Sequence, residues 1–157
     1  MARLPVLLAA LWWGGISALS FVAVPTLFAK LGSPALAGPV AAHLFSLQCQ
    51  AGLVIGVLLL VLLRRERGRV QSDAGDVLDP KQVQALQAII ATMGLVLAGM
   101  LLAMVQEFGV APKIVTARAS GGNLRVWHGL GTVLVLGQWL CAGAVLWRLS
   151  RPAAQAA

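Results

Sequence analysis

Residues 31–63 read LGSPALAGPVAAHLFSLQCQAGLVIGVLLLVLL and contain no aspartate, glutamate, lysine or arginine. A basic run, Arg64-Arg65-Glu66-Arg67-Gly68-Arg69, follows directly. A helix needs roughly 20 residues to cross a hydrocarbon core of about 30 Å, so this apolar stretch is long enough for a transmembrane helix. Ser33-Pro34 is typical of a helix start, and Gly38-Pro39 predicts either a bend or the true start of a helix that runs to Leu63.

Three further stretches, residues 4–29, 82–106 and 126–147, also lack charged side chains. Of the 157 residues, 59% are hydrophobic and 11% are charged, whereas ordinary globular chains have roughly 45–50% and 25%. We therefore predict an all-α integral membrane four-helix bundle, a single domain over residues 1–157. Its spans are expected at about 4–29, 39–63, 82–108 and 126–147. The first stretch is longer than the 7–15 apolar residues, roughly, of a cleavable signal peptide, so we expect an uncleaved first span.

The ends of the later helices carry recognisable signals. Asp79 ahead of Pro80 predicts the N-cap of helix three, which should begin near Lys81 and end near Glu107-Phe108-Gly109. Helix four should run from about Arg125 to Trp147. Residues 64–81 are then a solvated loop between helices two and three.

Lysine and arginine are distributed unequally between the two ends of the predicted bundle, which predicts its orientation. One end receives eight of them and the other four; the two sets are Arg3, Arg64, Arg65, Arg67, Arg69, Lys81, Arg148 and Arg151, against Lys30, Lys113, Arg118 and Arg125. The positive-inside rule places both termini and the 64–81 loop in the cytoplasm. The basic run 64–69 should contact anionic headgroups. The net charge of +7 does not indicate nucleic-acid binding, because the basic residues flank apolar spans.

Polar side chains are costly within a bilayer, so each one is a functional candidate. On the predicted topology they collect in the outer leaflet, near the outer ends of helices two, three and four. The candidate ligand-binding residues are His43, Gln48, Gln106, Glu107, Arg125, Trp127 and His128. They could instead form structural hydrogen bonds and ion pairs, with Glu107 paired to Arg125 or Arg118, or they could line an outward-facing cavity for a ligand or a translocated solute.

A metal or haem site is a further hypothesis for the outer leaflet. His43 and His128 on separate helices could bind a metal ion or the iron of a haem. Met100 and Met104 belong to one helical stripe that could contribute thioethers to Cu(I), although methionine at helical spacing is typical of packing. Cys49 and Cys141 differ in predicted depth by roughly 7 Å, so we expect two free thiols.

Small residues recur at intervals that permit close helix packing. Gly52-x-x-x-Gly56 is the spacing that lets helix backbones approach in lipid. Four helices of one chain could use these faces internally, or the pair could support a homo-oligomer.

Several short motifs resemble one known family. They are Gly14-Gly15, Pro25-x-Leu27-Phe28, Ala37-Gly38, Phe45, the Pro112 region and Trp127-His128-Gly129. They are similar to the four-helix membrane domain family of unknown function related to transmembrane protein 205, domain of unknown function 4149. This resemblance implies a four-helix integral membrane protein, in bacteria one of the inner membrane, and no established reaction.

The chain contains no catalytic motif that we recognise, so we do not predict an enzyme. The function we predict is that of a small binding or accessory protein of the inner membrane with a polar site in the outer leaflet. The alternative is a transporter or efflux component, and the third is a haem- or copper-binding redox protein. A homo-oligomer or a membrane-protein partner would be compatible with each.

Overall fold

The computed structural model of the chain describes residues 3–73, 79–117 and 122–151. They form four helices, each long and apolar enough to cross a membrane: α1 (Arg3–Leu31), α2 (Pro34–Ser72), α3 (Pro80–Thr116) and α4 (Leu124–Ser150). No strand occurs within these ranges. The prediction of an all-helical chain with four long apolar helices is therefore confirmed.

The four helices form a ring in chain order. α1 packs against α2 and α4, and α3 packs against the same two helices from the other side. Neighbouring helices are antiparallel: Gly56 on α2 faces Met100 on α3, while Ser46, ten residues earlier, meets Glu107, seven residues later. Every helix thus buries one face against two neighbours and leaves an apolar face outside.

The centre of the bundle is built around Trp12, whose side chain is 2% exposed. Its indole reaches both α2 and α3, at glycines. A Cβ on Gly52 would lie 2.9 Å from Trp12 Nε1, and one on Gly99 would lie 2.8 Å from Trp12 Cη2. Met100 fills the space at Gly56 in the same way, with its sulfur 2.6 Å from an added Cβ. Both glycines of the Gly52-x-x-x-Gly56 pair are therefore used for packing inside one chain.

A hydrogen bond between half-buried side chains also joins α1 to α4. Trp139 Nε1 donates to Ser17 Oγ at 2.8 Å, and the Ser17 hydroxyl donates to the carbonyl of Trp13 at 2.8 Å. The rings of Trp13 and Trp139 lie 5.6 Å apart between centroids. Trp139, which lies in the middle of α4, thus has a polar partner inside the bundle.

α2 is longer than the sequence suggested. It begins at Pro34 and continues through Pro39, so the alternative start at Pro39 is wrong. The helix tolerates Pro39 because a proline this near the helix start leaves only one early carbonyl without its hydrogen-bond donor. At its other end α2 continues to Ser72, where we expected a loop from residue 64. Arginine and glutamate favour helix, and Arg69 pairs with Glu66 at 3.4 Å one turn away.

α3 also continues beyond its predicted end. It starts as expected, with the Asp79 carboxylate accepting a hydrogen bond from the backbone of Lys81 at 3.2 Å. It then runs through a π-helical segment, Val105–Val110, to Thr116, so an end near Gly109 is wrong. The segment ends two residues before Pro112. A similar segment in α1, Leu19–Ala23, ends two residues before Pro25.

The position of both π-helical segments has a common physical explanation. A proline ring clashes with the carbonyl four residues earlier and offers no N–H. A π-helical turn holds one more residue than an α-helical turn, so the chain can pass the proline without ending the helix. As a result Glu107 lies nine residues before Thr116, about 14 Å from the end of α3 at 1.5 Å per residue. It belongs to the body of the bundle, and the sequence analysis wrongly placed it at a helix end.

Candidate functional site

Three glutamines form a hydrogen-bonded row across the bundle. Gln48 Nε2 on α2 donates to Gln138 Oε1 on α4 at 3.4 Å, and Gln138 Nε2 donates to Gln106 Oε1 on α3 at 3.0 Å. Gln138 is fully buried and Gln106 is 7% exposed. The amide row therefore ties three helices together at a place where water has little access. Gln48 Oε1 is buried and accepts no hydrogen bond from the described residues.

A second polar cluster lies beside this row, between α2 and α3. Gln50 Nε2 donates to Ser46 Oγ at 3.3 Å, and the Ser46 hydroxyl donates to Glu107 Oε1 at 2.5 Å. We call Ser46, Gln50 and Glu107 the carboxylate cluster. Glu107 and Ser46 are half-buried, whereas Gln50 is exposed on the outer surface of the bundle. The cluster thus opens outward between the two helices.

Local helix geometry explains why the two clusters are neighbours that face different directions. Gln106 and Glu107 are consecutive in the π-helical segment of α3, and consecutive residues of such a helix point roughly 80–100° apart around its axis. Gln106 therefore reaches inward to α4, while Glu107 reaches sideways to α2. Cys49, which is fully buried, lies close enough to Glu107 for an electrostatic interaction.

The partner of Glu107 differs from the basic ones considered in the sequence analysis. Within residues 3–73, 79–117 and 122–151 the carboxylate forms no ion pair with Arg125 or His128. Arg118 lies outside the described residues. The hydrogen-bond partner that the structure assigns is the hydroxyl of Ser46.

The remaining predicted residues form no hydrogen bond with the two clusters among the described residues, although His43 lies only one turn before Ser46 on α2. His43, Arg125 and His128 are exposed, and Trp127 is half-buried. Across the described part of the chain, no side-chain hydrogen bond or ion pair joins any of them to Gln48, Gln106 or Glu107. Of the seven ligand-binding candidates, Gln48 and Gln106 are joined through Gln138, and Glu107 follows Gln106 in the chain but belongs to the separate carboxylate cluster.

The four residues considered for a metal do not lie at one depth. Met100 packs at Gly56, which is 13 residues from His43 on α2, or about 20 Å along the helix axis. Met104 is exposed. The described residues hold no group of three or more histidine, cysteine, aspartate or glutamate side chains suited to a metal ion. Cys49 and Cys141 are both free thiols, as predicted.

Three residues that complete the clusters were not among the predicted ligand-binding residues, namely Ser46, Gln50 and Gln138. Gln138 accepts a hydrogen bond from one glutamine and donates one to another. The residue type of Gln138 could have identified it, because an amide side chain in the middle of a charge-free span needs a hydrogen-bond partner. The analysis instead weighted the outer helix ends, where the histidines lie.

Comparison with known protein families matches residues 7–123 to one family, described as Domain of unknown function (DUF4149). The matched segment contains most of α1, all of α2 and α3, and ends immediately before α4. Neither the curated proteins nor the solved structures give a match.

Proposed function

This chain belongs to the DUF4149 family, a family of unknown function, and we propose that it is a four-span integral protein of the bacterial inner membrane that binds a small molecule. The proposal rests on four helices long and apolar enough to span a bilayer. The exterior of the bundle is also apolar, which supports lipid as the surrounding solvent. Apolar side chains that are more than 60% exposed include Leu7, Val54, Leu101 and Val133.

The depth of the polar clusters follows from the length of α2. If Arg64 lies at the cytoplasmic interface, Gln50 lies 14 residues away and Ser46 18 residues away, about 21 and 27 Å at 1.5 Å per residue. The hydrocarbon core is about 30 Å thick. Both residues would then lie in the outer third of the membrane, as would Glu107, which contacts Ser46.

The observation that carries the binding proposal is the state of Glu107. It is a carboxylate within the helical body, held by one hydroxyl, with no cation paired to it among the described residues. Ionisable groups at membrane depth are costly and are typical of ligand or ion sites. A purely structural role would be served better by a neutral amide, such as those of the neighbouring row.

Native mass spectrometry of the purified protein in a mild detergent tests this proposal. We expect wild-type protein to carry a bound small molecule and the Glu107→Gln variant to have lost most of it. Glu66→Gln is the matched control, because it makes the same chemical change at an exposed carboxylate and should leave the bound molecule in place. Wild-type protein without any bound molecule, or equal occupancy in all three proteins, would contradict the proposal.

We propose that both termini face the cytoplasm, on the basis of the unequal distribution of basic residues. Ser72, at the exposed end of α2, provides the test. A Ser72→Cys variant should resist a membrane-impermeant thiol reagent in intact cells and react after permeabilisation. Lys30→Cys, at the opposite end of the bundle, should react in intact cells. The reverse pattern would invert the proposed orientation.

The extension of α2 beyond Leu63 supports the proposed contact with anionic headgroups. Arg64, Arg65 and Arg67 are exposed along it, and each basic residue near an anionic surface contributes about 1 kcal/mol. Replacing these three arginines by glutamine should reduce the amount of anionic lipid that copurifies with the protein. Unchanged anionic lipid would contradict this assignment.

A further inference from the structure

The outward face of α2 is polar toward one end and grooved toward the other. Ser46, Gln50, Leu53 and Val57 follow the spacing i, i+4, i+7, i+11, so they form one stripe. A shallow, largely open groove of about 290 Å³ begins one turn beyond Gln50 and is formed by side chains of α2 alone, namely Leu53, Val54, Val57 and Leu58. The carboxylate cluster and an apolar groove therefore adjoin each other on one surface.

The directions of the hydrogen bonds show what the carboxylate cluster lacks. Gln50 donates to Ser46, and the only hydroxyl proton of Ser46 goes to Glu107 Oε1. The second carboxylate oxygen, Glu107 Oε2, accepts no hydrogen bond from the described residues. The cluster thus offers a negative charge and an open acceptor, and a ligand must bring a donor and preferably a positive charge.

The groove shows what the rest of such a ligand would be. Val54 lies four residues beyond Gln50, about 6 Å farther along α2, which places it at the bilayer centre on the proposed topology, and Val57 lies about 5 Å beyond that centre. An outer-leaflet lipid has the same polarity, with its headgroup outward and its hydrocarbon chains inward. The groove is entirely apolar in its lining residues, as a binding surface for an acyl chain should be.

We propose that this face of α2 and α3 binds an amphiphile with a protonated amine headgroup, such as an aminophospholipid of the outer leaflet. The ammonium group lies at Glu107, where it donates to the open carboxylate oxygen and neutralises its charge. One hydrocarbon chain lies in the groove at Val54 and Val57. This inference rests on the proposed binding function and names the ligand class of that same site.

Two lipids with the same acyl chains test the headgroup. Dioleoyl phosphatidylethanolamine carries an ammonium group with three N–H donors, whereas dioleoyl phosphatidylcholine has the same net charge and no such donor. We expect delipidated protein in detergent to bind the ethanolamine lipid about tenfold more tightly, measured by native mass spectrometry titration. Glu107→Gln should abolish this preference, and Glu66→Gln should preserve it.

Dioleoyl phosphatidylglycerol distinguishes an amine from a hydroxyl headgroup. It supplies hydroxyl donors without a positive charge, so we expect it to bind no better than the choline lipid. Equal binding of the glycerol and ethanolamine lipids, or of the choline and ethanolamine lipids, would overturn the ammonium assignment.

A filled groove tests the position of the hydrocarbon chain. Val57 is 50% exposed, so Val57→Phe should fold normally while occupying the groove, and it should weaken binding of both the ethanolamine and the choline lipid. Val133→Phe places the same ring on the exposed face of α4 and should leave binding unchanged. Unaltered binding in Val57→Phe would overturn the groove assignment.

If wild-type protein retains some other small molecule, only this inference fails; if it retains none, the proposed function fails as well.

Discussion

Replacing Gln138 by leucine removes the central member of the amide row while nearly preserving side-chain volume. Two interhelical hydrogen bonds are lost, those with Gln48 and Gln106, and such bonds in membrane proteins contribute about 0.6 kcal/mol each on average. Gln106 is also left as a buried acceptor without a donor, which costs about 1–3 kcal/mol. We therefore expect Gln138→Leu to lower the free energy of unfolding by about 2–4 kcal/mol.

Unfolding in mixed micelles of a mild and a denaturing detergent, followed by tryptophan fluorescence, measures this loss. The variant that replaces Gln48, Gln106 and Gln138 together by leucine should be more stable than Gln138→Leu alone. Removing every member of a buried polar group leaves no unpaired atom, and such exchanges are close to neutral. Gln84→Leu, at an exposed glutamine of α3, is the control and should match wild type. The reasoning would be refuted if Gln138→Leu were as stable as wild type, or if the three replacements simply added their losses.

Two further predictions concern the packing of the tryptophans. Gly52→Ala should destabilise the bundle by about 1–3 kcal/mol because its Cβ would lie 2.9 Å from Trp12 Nε1. The control is Gly94→Ala, whose Cβ would have nothing within 4 Å, so the free energy of unfolding should stay the same or rise slightly. Equal effects of the two substitutions in the same micelle assay would contradict this packing. Ser17→Ala should cost about 0.5–1.5 kcal/mol by removing the acceptor of Trp139 Nε1. The same change in a Trp139→Phe background should cost clearly less, and an equal cost in both backgrounds would show that the hydrogen bond does not stabilise the fold.

The number and the approximate location of the helices followed from the sequence, because charge is excluded from lipid-facing helices regardless of how they pack. The capping of α3 by Asp79 also followed, since an N-cap depends on residues only two or three positions away. The sequence did not allow us to predict whether a helix ends at a proline. Whether Pro112 ends α3 depends on a wider turn in Val105–Val110 that no local propensity indicates.

The composition of the candidate site depended on tertiary structure for a similar reason. A polar residue within an apolar stretch signals that a partner is needed, and Gln48, Gln106 and Glu107 could be identified on that basis. Which partner each one has depends on the rotation of each helix about its axis and on its register against the next helix. Ser46 and Gln138 complete the two clusters only because α2, α3 and α4 present them at matching heights. The sequence by itself determined that polar groups would have to meet inside an apolar bundle; the packing of tryptophan and methionine side chains against glycines sets the helix register, and that register decided which groups meet.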